Sequence, residues 1–239
     1  MENDHTDIEG KAVRYAKGNK KNIAKKRTDP QVFLPDQKPV SVFMAGSPGA
    51  GKTEASMALL DELEDTEKNR KVLRIDPDEL REEFEDYSGS NSSLFQPAVS
   101  ILVEKIHDLA LKQRQSFILD GTLSSYEIAE KNIERSLKQN RQVQILYVYL
   151  DPEQAWRFVQ AREKEEGRNI PPERFIDQYF AARENVNKLK NKFGKEISVD
   201  LILKNIDGSQ KLYKSGIDQI DHHIQENYTR TDIEKFIRM

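Results

Sequence analysis

The chain of 239 residues contains no cysteine, which excludes disulfides, thiolate metal sites and cysteine nucleophiles. Its four histidines, His5, His107, His222 and His223, form no His-x-x-x-His pair, so a histidine-built metal centre is not expected. No apolar run approaches the roughly 18 residues that would cross a bilayer. The first residues, Met-Glu-Asn-Asp-His, are acidic and polar where a secretion signal is basic and then apolar. A cytoplasmic location with no membrane partner is therefore expected. A surplus of one charge is missing as well. Lys plus Arg is 38 and Asp plus Glu is 41, a net charge of -3, so nucleic acid is not an expected partner.

What the chain does have is charge of both signs, 33%, and enough hydrophobic residues, 36%, to build a core. The eight basic residues between Lys11 and Arg27 have no acid among them. Ala12, Val13, Ala16, Ile23 and Ala24 give this stretch only a thin apolar stripe. It reads as a short helix clipped onto the main body, or as a docking surface for an acidic partner or substrate. Thr28-Asp29-Pro30 and Leu34-Pro35-Asp36 have the turn chemistry of a linker. Residues 1–37 are thus set apart as a basic helical segment and linker, and residues 38–239 form the main domain.

From Pro39 onward, strand and helix patterns alternate. Strands are expected at Val40–Ala45, Lys71–Asp76, Ser116–Asp120, Gln142–Leu150 and Ile197–Leu203, with a helix from Gly51 to Thr66. Val99, Leu102, Val103, Ile106 and Ala110 repeat with helical spacing. The pattern predicts an α/β fold, a parallel sheet of about five strands with helices on both faces. Its ligand is expected at the carboxyl edge of the strands.

Gly46-Ser47-Pro48-Gly49-Ala50-Gly51-Lys52-Thr53 matches G-x-x-x-x-G-K-T between a strand and a helix. Glycines let consecutive N–H groups converge on phosphate oxygens, and the helix start adds favourable potential. Lys52 is suited to the β and γ phosphates and Thr53 to Mg²⁺. Binding of a nucleoside triphosphate with magnesium is expected.

Phosphoryl transfer to an alcohol needs a carboxylate beside the acceptor and usually another for the metal or its waters. Asp76 stands at the tip of the second strand and Asp78 follows across a stiff Pro77, and either can also cap the next helix. Asp120-Gly121-Thr122 ends the third strand in the manner of a Walker B acid, with a glycine that permits close approach. Arg162 and Arg168 flank a Gly167 break before Ile170-Pro171. They suit a mobile lid that meets transferring phosphate, or they pair with Glu163, Glu165 and Glu166 on the surface. Phe84–Phe95 is the longest polar irregular stretch of the body. Arg81 just before it, with Tyr87, Ser90 and Asn91 within it, are candidates for acceptor recognition; the stretch also reads as a plain exposed loop. Trp156, Phe158 and His107 are expected to pack.

These pieces, in this order over about residues 38 to 205, resemble the zeta toxin family of bacterial toxin–antitoxin kinases. They are Gly46–Thr53, the Ile75-Asp-x-Asp78 turn, Asp120–Thr122, and the arginines Arg162 and Arg168 before Ile-Pro. The resemblance implies a P-loop kinase that uses ATP and Mg²⁺ to phosphorylate a sugar hydroxyl of UDP-N-acetylglucosamine, with an antitoxin protein as a partner. By this likeness Asp78 is the general base, Lys52 the phosphate clamp, and Arg162 and Arg168 the lid contacts. Asp120 and Thr122 lie on the substrate side, with Asp120 and Thr53 toward the metal. Better-known members have Glu where Asp120 stands and arginine where Ser124 stands. The departures leave room for another acceptor, such as a dinucleotide, an antibiotic or a polynucleotide. A nucleotide-binding switch or ATPase is the alternative of another class.

Overall fold

The computed structural model describes residues 2–64 and 71–238, with side chains from residue 7 onward. Six strands form one sheet: β1 (Val40–Ala45), β2 (Leu73–Ile75), β3 (Phe117–Leu119), β4 (Gln142–Tyr149), β5 (Ile197–Lys204) and β6 (Gln210–Lys214). Their spatial order is β2-β3-β1-β4-β5-β6. The first five are parallel and β6 lies antiparallel on β5. In the central β1, five consecutive residues from Ser41 to Ala45 are buried, as a strand covered by helices on both faces requires.

The helices are α1 (Glu2–Arg27), α2 (Lys52–Leu63), α3 (Gln96–Lys112), α4 (Tyr126–Leu137), α5 (Pro152–Glu166), α6 (Pro172–Phe193) and α7 (Arg230–Ile237). The expected helix from Gly51 to Thr66 corresponds to α2, and its last two residues lie outside the described ones. Trp156 and His107 are buried, and Phe158 packs half-buried against the core. His107 sits against Phe43 and Phe117, where burial and nearby Arg135 push its pKa down to about 3.

Two elements differ from the sequence reading. The sixth strand, Gln-Lys-Leu-Tyr-Lys, has no apolar run because it is an exposed edge, and polar edge strands carry little signal of burial. The basic segment is part of a 26-residue helix rather than a short, lightly attached one. Ala12, Ala16, Ile23 and Ala24 are buried, and the helix runs along α3. Small side chains let two backbones approach closely, so a thin stripe suffices. Beyond it, Thr28 is buried, and its carbonyl accepts from the amides of Gln113 (2.8 Å) and Gln115 (2.9 Å). The same helix grips the segment after β2: Arg27 pairs with Glu79 at 3.6 Å and Glu83 at 3.0 Å, and Tyr15 meets Phe84 edge-on at 5.6 Å.

Candidate active site

The phosphate loop joins β1 to α2 at the carboxyl edge of the sheet. Two of its glycines are required by the space around them. A Cβ on Gly46 (φ 135°) would lie 2.3 Å from the Val148 carbonyl oxygen, and one on Gly49 (φ 74°) 2.1 Å from that of Ala155. The loop is therefore pressed against β4 and α5 on one side. Lys52 folds back so that Nζ donates to the carbonyls of Gly46 (3.1 Å) and Ser47 (2.7 Å). Burial lowers its pKa to about 8; Asp120 and Asp78 act in the opposite direction, and Arg168 and Arg162 add to the fall. A desolvated ammonium beside two guanidiniums fits a polyphosphate, whose charge would restore the ordinary lysine value. Thr53 is exposed in the first turn of α2.

Asp78 lies in the turn after β2. Its carboxylate accepts from Arg81 Nη1 through Oδ1 and from Arg168 Nη1 through Oδ2, both short contacts. Burial raises its pKa, but the two guanidiniums outweigh that and hold it below the ordinary carboxylate value. The Asp78 side chain makes no helix-cap bond. Asp76 does the local work instead: its Oδ1 accepts from the Asp78 backbone N–H at 2.7 Å. Burial and the charge of Asp78 push the Asp76 pKa up. Arg81 is buried, with 6% of its surface exposed, and its Nη2 donates to Gln96 at 2.9 Å. It thereby ties Asp78 to the start of α3.

Asp120, also 6% exposed, directly follows β3. Its Oδ2 accepts from Ser56 Oγ (3.2 Å) and Arg74 Nη2 (2.7 Å). Beyond it, the Thr122 carbonyl accepts from the Gly46 N–H at 3.3 Å, tying this strand end to the phosphate loop. Thr122 Oγ1 and Ser124 Oγ bond each other at 2.9 Å, and Asn185 Nδ2 donates to the Leu123 carbonyl at 3.0 Å. Among the described residues, no group of three or more His, Cys, Asp or Glu is placed to hold a metal ion by itself. A magnesium ion here would take the Thr53 hydroxyl, Asp120 and phosphate oxygens, the mixed set common for this ion.

Gly167, with φ 70°, ends α5, and α6 restarts at Pro172. Arg162 pairs with Glu166 at 3.0 Å along the exposed face of α5, yet lies close enough to act on Lys52 and Asp78. The surface pair expected for that arginine is thus present, within reach of the phosphate loop. Arg168 is on Asp78. The Phe84–Phe95 segment packs against the end of α5: a Cβ on Gly89 would lie 2.6 Å from the Glu166 carbonyl oxygen. Tyr87 packs edge-on against Phe95 at 5.6 Å. Asn91 accepts from Ser88 N–H (3.0 Å) and donates to the Asp86 carbonyl (2.8 Å), so its amide holds the loop's own shape.

The structure therefore brings Lys52, Asp78, Asp120, Arg162 and Arg168 together, while Arg81, Tyr87 and Asn91 support the segments beside them. Arg74, Ser56 and Gln96 escaped the sequence reading. Arg74 left one signal, a charged residue between the buried Leu73 and Ile75 of a strand.

The profile of the zeta toxin family matches residues 23–218. The chain belongs to the zeta toxin family. With that membership come the P-loop kinase fold and a phosphotransferase type of site. Among solved structures, the fold resembles one from the PezAT chromosomal toxin–antitoxin system of Streptococcus pneumoniae, at 15% identity and a TM-score of 0.68. That likeness covers 93% of this chain and 91% of the other. AvrRxo1-ORF1:-ORF2 with ATP matches at 15% identity and a TM-score of 0.58, over 86% of this chain and 65% of that one. A chain of the Pnkp1/Rnl/Hen1 RNA repair complex matches at 19% identity and a TM-score of 0.51, over 65% of this chain and 47% of that one. No curated protein matches the sequence significantly. No described helix of this zeta toxin family member is long and apolar enough to cross a membrane.

Proposed function

We propose that this zeta toxin family member is an ATP-dependent kinase that phosphorylates a sugar hydroxyl of UDP-N-acetylglucosamine or a related nucleotide-sugar, acting as a toxin in the cytoplasm. The observation that carries the reading is the convergence of Asp78, Asp120, Arg162 and Arg168 on Lys52. It joins a carboxylate for an acceptor hydroxyl to three cations for phosphate. ATP, when bound, supplies the phosphoryl group. The loop amides from Gly46 to Thr53 bind its phosphates and Lys52 clamps them, while Thr53 and Asp120 hold Mg²⁺. Asp78 accepts the acceptor's proton at a carboxylate oxygen once Arg168 leaves that oxygen for phosphate. Arg162 and Arg168 then oppose the charge on the transferring group. Thr122, with Tyr87 and Arg81 behind the turn, shapes the acceptor side. The Asn91 amide is already engaged, so its part is to shape the loop.

An antitoxin protein is the proposed partner, supported by the toxin–antitoxin system from which the PezAT structure comes. One observation favours a different acceptor: among the described residues the side chain of Ser124, where better-known members carry arginine, bonds Thr122 in its own loop and no phosphate-binding group. The test is purified protein with ATP–Mg²⁺ and a panel of UDP-sugars, dinucleotides and oligonucleotides, read by mass spectrometry. A phosphorylated UDP-sugar is the expected product. A product from another member of the panel corrects the acceptor, and ATP hydrolysis with no phosphorylated acceptor refutes the kinase reading.

A further inference from the structure

Arg74 sits in the middle of β2 between two buried residues, and its side chain is 10% exposed. A guanidinium in such a place is costly unless its donors are satisfied, and here they reach four side chains on three segments at once. Nε donates to Ser56 Oγ on α2 at 3.1 Å. Nη2 donates to Asp76 Oδ2 at 2.5 Å and to Asp120 Oδ2 at 2.7 Å, and Nη1 to Glu79 Oε1 at 2.6 Å. Asp76 passes the tie onward through its Oδ1, which accepts from the Asp78 N–H.

We infer that Arg74 is a positioning residue of the transfer reaction, a single planar fork that sets the Asp120 carboxylate and the turn carrying Asp78 at a fixed separation. The inference rests on the kinase reading and adds a residue to it. Without Arg74, Asp76 and Asp120 would face each other with no cation between them. The turn would then lose the carboxylate that anchors the Asp78 backbone. With it, one oxygen of Asp120 is fixed by Arg74 and Ser56, and Oδ1 is the oxygen without a hydrogen bond among the described residues. A lysine cannot reproduce the arrangement, because an ammonium on a flexible stem lacks the rigid fork. Arg74 itself touches no reacting atom; it acts through Asp76 and Asp120.

The experiment compares the full chain with Arg74→Met and Arg74→Lys by two measurements. The first is amide hydrogen exchange at Asp78 in the protein without nucleotide. The second is steady-state transfer to whichever acceptor the parent phosphorylates. Arg74→Met is expected to speed Asp78 exchange and to lower kcat, each by roughly 10–100-fold, the range of a lost charged hydrogen bond. The KM for ATP should rise by less than kcat falls, since the loop amides and Lys52 are untouched and only the Asp120 side of the ATP–Mg²⁺ site is loosened, and exchange in β1 and β4 should stay at parent rates. Arg74→Lys should fall nearly as far, and it decides the matter if the Met variant does not fold. Parent-like Asp78 exchange and kcat in Arg74→Lys overturn the inference. So does a fall in which β1 exchange and the KM for ATP move together with kcat, as general loosening would give. The exchange measurement needs no turnover. A parent that phosphorylates nothing therefore refutes the kinase reading, while unchanged exchange in the variants refutes the role of Arg74.

Discussion

Replacing Asp78 by Asn removes one charge and keeps the shape. In the structure that charge holds two arginines, Arg81 from the following turn and Arg168 from the segment between α5 and α6. Breaking a fully buried pair costs about 3–5 kcal/mol, whereas exposed pairs contribute about 0–1 kcal/mol. The Asp78 side chain is 38% exposed and that of Arg81 only 7%, so solvent screening reduces the cost to roughly 1–2 kcal/mol. For a chain of this size, that lowers Tm by about 3–6 °C. The pH dependence has a definite sign. The folded-state pKa of Asp78 lies below its ordinary value of 3.8. Its stabilising contribution is therefore complete above that value and is lost as pH falls through the lower, folded one. Asp78→Asn should accordingly flatten acid unfolding below about pH 4 while leaving neutral-pH folding intact. Catalysis should suffer far more. Loss of a positioned base lowers transfer by about 10²–10⁴-fold, while ATP–Mg²⁺ affinity stays within about threefold, because Lys52, Thr53 and the loop amides make that site. Calorimetric titration, thermal melts and product formation on one preparation test all three. Parent-like transfer by a folded Asp78→Asn protein would refute the assignment of the base and leave Asp76 as the next carboxylate to replace.

Lys52, with a pKa near 8, should take up about half a proton when ATP binds at pH 8, because the polyphosphate raises its pKa. Calorimetry in buffers of different ionisation enthalpy measures this, and the uptake should vanish at pH 6.5 and in Lys52→Met. Arg162→Ala and Arg168→Ala should each lower kcat by about 10²–10³-fold with little change in ATP affinity, the usual effect of losing one transition-state donor. Arg168→Ala should also raise the Asp78 pKa, seen by carboxyl-carbon NMR, and by more than Arg162→Ala does, since Arg168 bonds Asp78 directly whereas Arg162 bonds Glu166. Gly49→Ala should destabilise the protein by more than about 1 kcal/mol and abolish ATP binding, because its Cβ meets the Ala155 carbonyl at 2.1 Å. A Gly49→Ala protein with a parent-like melt and affinity would show that the loop is not held against α5.

Much of this architecture was legible in the order of residues because it depends on local chemistry. The phosphate loop needs glycines at set spacing, each parallel strand needs a buried apolar run, and the break between α5 and α6 needs Gly167 and the prolines. Those requirements act within a few residues, so the linear pattern carries them. The edge strand β6 and the anchoring of α1 were not legible. Exposed Gln-Lys-Leu-Tyr-Lys resembles any polar segment, and four small or apolar positions show nothing of how closely α3 approaches. Pairing among the charges also lay beyond the sequence. Asp78 with Arg168 spans 90 positions and Arg74 with Asp120 spans 46, and only the sheet order β2-β3-β1 brings the second pair together. The residue types at the carboxyl edge were set by the sequence. Which carboxylate caps the turn, which is clamped by arginines and which is left an open oxygen was decided by tertiary packing, because an ion pair depends on distance in space and not along the chain.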